Sequence, residues 1–337
     1  MELITINRNN PATIDVEADV VEENTSENTI LKEQRTFIEA NTIPCSFEEM
    51  KKSHIIPSFA KDGEALISHT DFIEAVTLEA NEVFAGQQVT DPVIRLSHEI
   101  QGRIPSAKSK PAKDLLPHER TLYYERMMFL IEVPSIRGNI DGNELTLTIG
   151  GVKSYSEDNL YGRAGTEQHF KLFVGFENKV CTNMCISTDG LLGNIAIKNI
   201  DQLRMYIKLL LEKFNYNFLL TSLGSMVNYE LSERQFATLI GRCRMYNHLP
   251  KAVQNKIAPM LFGEAQVGAV VRDYYKSNSF SRNGNGSINL WRLYNLFTAA
   301  NKSSYIDSFA NRAVNAFSFA YGLKIALDTK EDNWFLN

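Results

Sequence analysis

The histidines and cysteines of this chain are too widely spaced in sequence to form a local metal or nucleophile motif. None of the six histidines shows the H-E-x-x-H or H-x-H spacing that brings two imidazoles to one ion. Cys181 and Cys185 form a single C-x3-C pair without a second pair, whereas a structural zinc site needs four ligands. The sequence therefore predicts no metal site, and the cysteines are interpreted as small buried apolar residues.

Phosphate loops and catalytic motifs are also missing from the sequence, which has no G-x-x-x-x-G-K-[ST] and no G-x-S-x-G. Gly150-Gly151, two residues before Lys153, is interpreted as a hairpin or a bulge. The neighbouring carboxylates Glu157 and Asp158 are interpreted as part of a solvated face. We therefore expect no catalytic residue and no cofactor. A metal-assisted hydrolase assembled from distant carboxylates is kept as an alternative.

Basic residues interleaved with aromatic residues indicate a different chemistry, the binding of single-stranded nucleic acid. Cations can follow a phosphate backbone while aromatic faces stack on bases. The alternative interpretation is that aromatic residues at helical spacing belong to the core. The candidate nucleic-acid-binding residues are Arg103, Lys108, Lys110, Lys113, Arg242, Arg244, Arg272, Tyr275, Lys276, Arg282 and Arg292.

The charge of the chain is unevenly distributed along its 337 residues, although the net charge is −5. Residues 1–60 and residues 61–190 each carry −6, whereas residues 191–337 carry 17 Lys and Arg against 10 Asp and Glu, or +7. A basic C-terminal half permits contact with phosphates. In the alternative, these basic side chains are solvated or pack against the acidic regions.

Hydrophobic residues make up 44% of the chain and charged residues 22%, which is ordinary globular usage. This composition argues against global disorder, collagen and coiled coil. Apolar runs such as 209–211 are far shorter than the roughly 20 residues of a membrane span. The N-terminal residues lack the basic and apolar regions of a signal peptide, so we expect a cytoplasmic protein without membrane contact.

The sequence pattern predicts strands in the middle of the chain. Within the basic, Pro-punctuated segment from Pro92 to Pro117, a short strand is expected near Val93–Leu96, followed by a surface loop. Four further strands are expected at 127–133 (ended by Pro134), 145–149, 170–176 and 179–186, with a hairpin turn at Glu177-Asn178. Because their connections are short, these strands should form an antiparallel sheet.

Helical periodicity precedes and follows this sheet. A leading helix is expected with Asp71 as its N-cap and Gly86 after its end. Beyond residue 199 the pattern predicts helices capped by Asn199 or Asp201 and by Ser232, and another from Lys251 past Pro259 to Tyr275. The predicted fold class is α+β, with a central antiparallel sheet at about 90–190 and a mostly helical C-terminal half. The expected domains are a flexible acidic N-terminal arm (1–60), a sheet domain with one leading helix (61–190) and a basic helical region packed on the sheet (191–330).

Four stretches of the chain resemble the bacterial domain of unknown function 3871. They are RLSHEIQGRIP at 95–105, LYYERM at 122–127, GGVKSY at 150–155 and FVGFENKVCTNMC at 173–185. More loosely, KVCTN at 179–183 and WRLYNLFT at 291–298 are similar to the phage- and plasmid-type domain of unknown function 932. The resemblance implies a mobile-element context and supplies no reaction and no catalytic residues.

These observations together predict an accessory protein of phages or plasmids that binds single-stranded DNA in replication or recombination and acts as a homo-oligomer. Replacing Lys108, Lys110 and Lys113 with Ala should then weaken binding and reduce its salt dependence. The alternative is a protein-interaction or inhibitor module whose acidic N-terminal arm binds a protein partner.

Overall fold

The computed structural model describes residues 36–53, 66–107, 109–158 and 167–337. Most of the predicted N-terminal arm and the candidate residue Lys108 lie outside these described residues. These described residues belong to one compact unit.

Strands and helices alternate in the first half of the described chain, and helices dominate the second half. The strands are β1 (Ile43–Cys45), β2 (Val93–Leu96), β3 (Glu99–Arg103), β4 (Arg120–Tyr124), β5 (Arg126–Ile140), β6 (Asn143–Ser154), β7 (Gln168–Asn178), β8 (Asn183–Cys185), β9 (Leu191–Ile197), β10 (Glu230–Leu231) and β11 (Ile288–Asn289). The helices are α1 (Phe47–Ser53), α2 (His69–Val83), α3 (Ile200–Lys213), α4 (Tyr216–Ser225), α5 (Glu233–Tyr246), α6 (Lys251–Gln254), α7 (Glu264–Lys276), α8 (Leu290–Asn301) and α9 (Ile306–Thr329).

The main sheet is antiparallel, with the strand order β1-β2-β5-β6-β7-β8 and with β9 also paired to β7. Two separate two-stranded sheets are formed by β3 with β4 and by β10 with β11. The predicted α+β class, with an antiparallel sheet before a helical half, is confirmed.

Pro134 does not end β5 as predicted. The β5–β6 ladder reaches Val133, shifts in register and resumes at Arg137. Pro134 therefore lies in the irregular segment, where a missing N–H removes no ladder hydrogen bond. The strand then continues to a tight turn at Asp141-Gly142, where both residues have positive φ (51° and 77°), as a two-residue hairpin turn of this type requires.

The predicted turn at Glu177-Asn178 is displaced by a few residues. Strand β7 continues through Asn178, and the turn follows at 179–182, where Thr182 has a φ of 55°. The side-chain oxygen of Asn178 accepts a hydrogen bond from the Val180 amide at 2.9 Å and so closes this turn. Cys181 consequently lies in the turn, not on a strand face shared with Cys185.

Two helix boundaries also differ from the prediction. Helix α2 is capped by Ser68, whose hydroxyl accepts from the Asp71 amide at 3.1 Å while the Asp71 carboxylate accepts from the Ser68 amide at 2.9 Å. Asp71 is thus the third helical residue of a capping box and not the cap. The helix predicted from Lys251 to Tyr275 is two helices, α6 and α7, because Pro259 cannot continue a helical hydrogen-bond ladder. The predicted Ser232 cap of α5 is confirmed.

Helices cover both faces of the main sheet. On one face, the ring of Phe72 from α2 meets Phe129 and Phe170 edge-on, with centroid distances of 5.3 and 4.9 Å. On the other face, Phe309 and Ala313 of α9 belong to a second core cluster with strand residues. No helix in the described ranges is both long and apolar enough to cross a membrane.

Gly150 lies inside β6 and not in the predicted turn or bulge. A Cβ at Gly150 would stand 2.3 Å from Cζ of Phe173 and 2.7 Å from Cδ2 of Leu130. The glycine therefore leaves space for neighbouring side chains on the buried sheet.

The strands at the two edges of the main sheet, β1 on one side and β8 and β9 on the other, are short or irregular. Strand β1 has three residues, with Pro44 at its centre. Strand β9 includes Asn194 in the left-handed region (φ 57°), and its ladder with β7 shifts in register. These irregularities interrupt the regular pattern of backbone groups along each edge.

Candidate nucleic-acid interface

Helices α5 and α7 pack side by side within the segment that carries most of the basic excess of the C-terminal half. At one end of the pair, Arg244 Nε lies 3.0 Å from Glu264 Oε1. Beneath the surface, the rings of Phe236 and Tyr274 stack with centroids 3.9 Å apart. Residues 230–292, which we call the α5–α7 surface, hold nine Lys and Arg against four Asp and Glu.

The other end of the pair is organised by the carboxylate of Glu233. The hydroxyl of Tyr275 donates to Glu233 Oε1 at 3.2 Å, and Nη1 of Arg282 donates to the same oxygen at 3.1 Å. The guanidinium carbon of Arg282 lies 4.7 Å from the centre of the Tyr275 ring, which is a cation–π arrangement. Three side chains that are separated in sequence thus form one cluster.

The loop that carries Arg282 is fixed by its own hydrogen bonds. The Arg282 amide donates to the carbonyl of Tyr274 at 2.9 Å, and the Gly286 amide donates to the carbonyl of Asn283 at 2.9 Å. Gly286 has a φ of 84°, and a Cβ there would lie 2.9 Å from Glu233 Oε2. Gly286 therefore satisfies two requirements, a left-handed backbone and a close approach to Glu233.

Several predicted cations of this surface form ion pairs, hydrogen bonds or cation–π contacts with other residues of the chain. Arg272 pairs with Asp273, with Nε to Oδ1 at 2.7 Å. The guanidinium of Arg292 donates to the side-chain oxygen of Asn283 at 2.8 Å and to the Ser281 carbonyl at 3.2 Å. Arg242 donates to the backbone oxygen of Asn337 and lies over the Trp334 ring at 4.8 Å. The expected interleaving of cations and aromatic rings thus includes contacts that stabilise the fold.

Three exposed cations of the α5–α7 surface make neither an ion pair nor a side-chain hydrogen bond within the part of the chain that the structure describes: Arg234, Lys256 and Lys276. Lys251 is also exposed and free of ion pairs there, but it donates to Gln254 Oε1 at 3.0 Å. Lys276 was among the predicted residues, whereas Arg234 and Lys256 were not. The excess of basic residues beyond residue 190 was the sequence signal that could have found them. Their charged groups are available to phosphates.

The second predicted basic segment lies between β3 and β4. Lys110 pairs with Glu119, and Arg103 donates to the backbone oxygen of Lys110. The side chain of Lys113 is exposed. Lys108 lies outside the described residues. Of the predicted cations of this segment that the structure describes, Lys113 is the exposed one.

A buried polar cluster at the end of β6 was not expected from the sequence. Lys153 is fully buried and pairs with Asp158, whose other oxygen accepts from the His169 amide at 2.6 Å. Lys171 Nζ lies 2.6 Å from Glu157 Oε1. The interpretation of Glu157 and Asp158 as solvated carboxylates is therefore wrong for Asp158.

The described residues give no support to metal or thiol chemistry. No group of three or more His, Cys, Asp or Glu side chains in the described ranges is arranged to hold a metal ion. Burial raises the pKa of the Cys185 and Cys243 thiols, which disfavours the nucleophilic thiolate.

The comparison with family models identifies a match over nearly the whole chain. The matching model is described as "Domain of unknown function, B. Theta Gene description (DUF3871)" and covers residues 15–336. Neither the curated proteins nor the solved structures include a match to the chain. The looser similarity to domain of unknown function 932 stays a prediction.

Proposed function

Since the chain belongs to the DUF3871 family, whose description assigns no activity, we propose from the chain's own surface that this protein binds single-stranded DNA. It does so as an accessory protein of mobile genetic elements in replication or recombination. It acts in the cytoplasm as a homo-oligomer and without membrane contact. The mobile-element context is supported by the looser resemblance of residues 179–183 and 291–298.

The observation that carries this proposal is the excess of cations on the α5–α7 surface. Arg234, Lys256 and Lys276 are exposed and make no ion pairs among the described residues, so a phosphate would not have to displace a carboxylate. Each cation that neutralises a phosphate releases counterions, which strengthens binding at low salt. Tyr275 adds an exposed aromatic ring to the same surface.

The proposal is tested by fluorescence anisotropy of the full chain with a labelled single-stranded oligonucleotide between about 50 and 200 mM salt. The test variant combines Arg234→Ala, Lys256→Ala and Lys276→Ala. The matched control combines Lys52→Ala, Lys208→Ala and Lys330→Ala, which removes the same charge from exposed positions on other elements. Duplex of the same sequence is measured in parallel.

We expect the wild-type protein to prefer the single strand and to lose affinity steeply with salt. The test variant should reduce the slope of log affinity against log salt by about two, since each contact with a single strand contributes roughly 0.7. The control variant should keep most of the slope. Absence of binding at the lowest salt, or equal losses in the two variants, would overturn the proposal.

The two alternatives from the sequence have no comparable support. The acidic arm of the protein-interaction alternative lies largely outside the described residues. The metal-assisted hydrolase lacks a suitable group of ligands within those residues. Both stay predictions.

A further inference from the structure

The ring of Tyr275 is unusually exposed for a side chain held by so many contacts. It is 53% exposed, although Arg282 lies over it at 4.7 Å and Glu233 accepts from its hydroxyl at 3.2 Å. The ring of Tyr274 meets it at right angles, with centroids 4.8 Å apart. The fold thus fixes the orientation of an aromatic surface that it does not bury.

This fixed orientation suits a partner that stacks. A flexible exposed tyrosine loses conformational entropy when it binds, whereas a ring already held at its hydroxyl and over its face loses less. The guanidinium of Arg282 is itself planar and partly exposed, so it extends the stacking surface beyond the ring. Lys276 is the last residue of α7 and is exposed, so the same helix end also carries a cation for a phosphate.

We propose that Tyr275, held by Glu233 and Arg282, is the position where an unpaired base stacks on the α5–α7 surface. This inference rests on the proposed function and deepens it, because it names the chemical reason for a preference for single strands. In a duplex the bases are stacked on one another and their faces are inaccessible, whereas a single strand offers them to an aromatic ring.

The experiment compares an oligonucleotide with a strand of equal length in which several central nucleotides are abasic. The two strands carry the same phosphates and differ in the presence of bases. The full-length variants are Tyr275→Leu, which removes the aromatic face, and Tyr275→Phe, which keeps it. Tyr305→Leu is the control because Tyr305 is also largely exposed but lies outside the α5–α7 surface.

We expect the wild-type protein to bind the normal strand about tenfold more tightly than the abasic strand, within the range for one or two stacked bases. Tyr275→Leu should remove most of this ratio while leaving the affinity for the abasic strand within about twofold. Tyr275→Phe should keep most of the ratio, because Arg282 still lies over the ring, and Tyr305→Leu should keep all of it. Urea denaturation of each variant establishes that it is folded.

A ratio that survives in Tyr275→Leu would overturn the assignment of Tyr275 and leave the proposed function intact. Equal losses for both strands in that variant would also overturn it, since the defect would then not depend on bases. A wild-type protein that binds neither strand would overturn the proposed function itself, and this inference with it.

Discussion

Lys153 and Asp158 form an ion pair in which the side chains are 0% and 2% exposed. Lys153 is the penultimate residue of β6, and its ammonium also lies 4.1 Å from the centre of the Phe170 ring. Asp158 reaches across to the start of β7 through the His169 amide. The pair therefore connects two neighbouring strands of the main sheet.

Replacing Lys153 with Met should lower the free energy of unfolding by about 3–5 kcal/mol, because Asp158 would keep a buried charge without its partner. Urea denaturation followed by circular dichroism measures this change. Lys198→Met is the control, since Lys198 and Glu167 form an exposed pair at 3.7 Å whose loss should cost less than about 1 kcal/mol. Similar costs for the two variants would show that Asp158 is solvated.

Glu177 should make the stability of the protein fall as the pH rises toward neutrality. Burial and a hydrogen bond with Glu132 raise its pKa to about 7, although Lys179 opposes this shift. Between about pH 4.5 and 7 the folded state then binds more protons than the unfolded state, so the free energy of unfolding decreases with rising pH. Glu177→Gln should remove this decrease.

The effect of Glu177 is measured by urea denaturation of both proteins at half-unit steps from pH 5 to 8. The gain of Glu177→Gln over the wild-type protein should grow with pH, by at most about 1.4 kcal/mol per unit. Glu212→Gln, at an exposed position of α3, is the control variant. A constant difference across this range would mean that Glu177 titrates at its ordinary pKa.

Gly175 should tolerate no side chain. A Cβ at this position of β7 would stand 2.2 Å from the carbonyl oxygen of Cys185, and backbone cannot move aside as a flexible side chain can. We expect Gly175→Ala to lower the free energy of unfolding by about 3 kcal/mol. Gly224→Ala, in α4 with open space at its Cβ, should instead raise it by up to about 1 kcal/mol. Thermal and urea unfolding of both variants measure these changes. A Gly175→Ala variant as stable as the wild-type protein would refute the close approach of β7 to β8.

The four cysteines should separate into two groups by their reactivity toward an alkylating reagent. Cys185 and Cys243 are fully buried, and burial raises their pKa, so we expect labelling only after unfolding. Cys45 and Cys181 are partly exposed, and Cys45 serves as the internal reference. Peptide mass spectrometry after timed labelling of the native protein measures the rates. Labelling of Cys185 at the rate of Cys45 would contradict the packing of β8 against β7.

The sequence was most informative where local periodicity and caps determine the structure. The strand at Val93–Leu96, the antiparallel order of the sheet and the cap at Ser232 all follow from patterns within a few residues. Errors arose at boundaries, because Pro134 is compatible with a strand wherever the ladder is irregular. That irregularity depends on pairing with β6, which a local pattern does not contain.

The candidate interface was less predictable because ion pairs join residues that are distant in sequence. Nothing near Arg282 in the sequence indicates that Glu233 will accept its hydrogen bond, and nothing near Lys153 indicates that it will be buried. A charged residue in a predicted strand is expected to be exposed to solvent unless a buried partner for it is known. Charge asymmetry indicated the half of the chain in which the candidate cations lie, while the identification of the exposed ones needed the fold.

The short strand β1 and the irregular strand β9 have a consequence for how this protein behaves at high concentration. Amyloid growth and edge-to-edge pairing of sheets require a regular edge strand, whose successive N–H and C=O groups can form hydrogen bonds with an incoming chain. Pro44 removes one such donor from β1, and the left-handed Asn194 bends the path of β9. Copies of this chain should therefore assemble through side chains rather than by sharing a sheet, and crowding should not convert the folded sheet into fibrils.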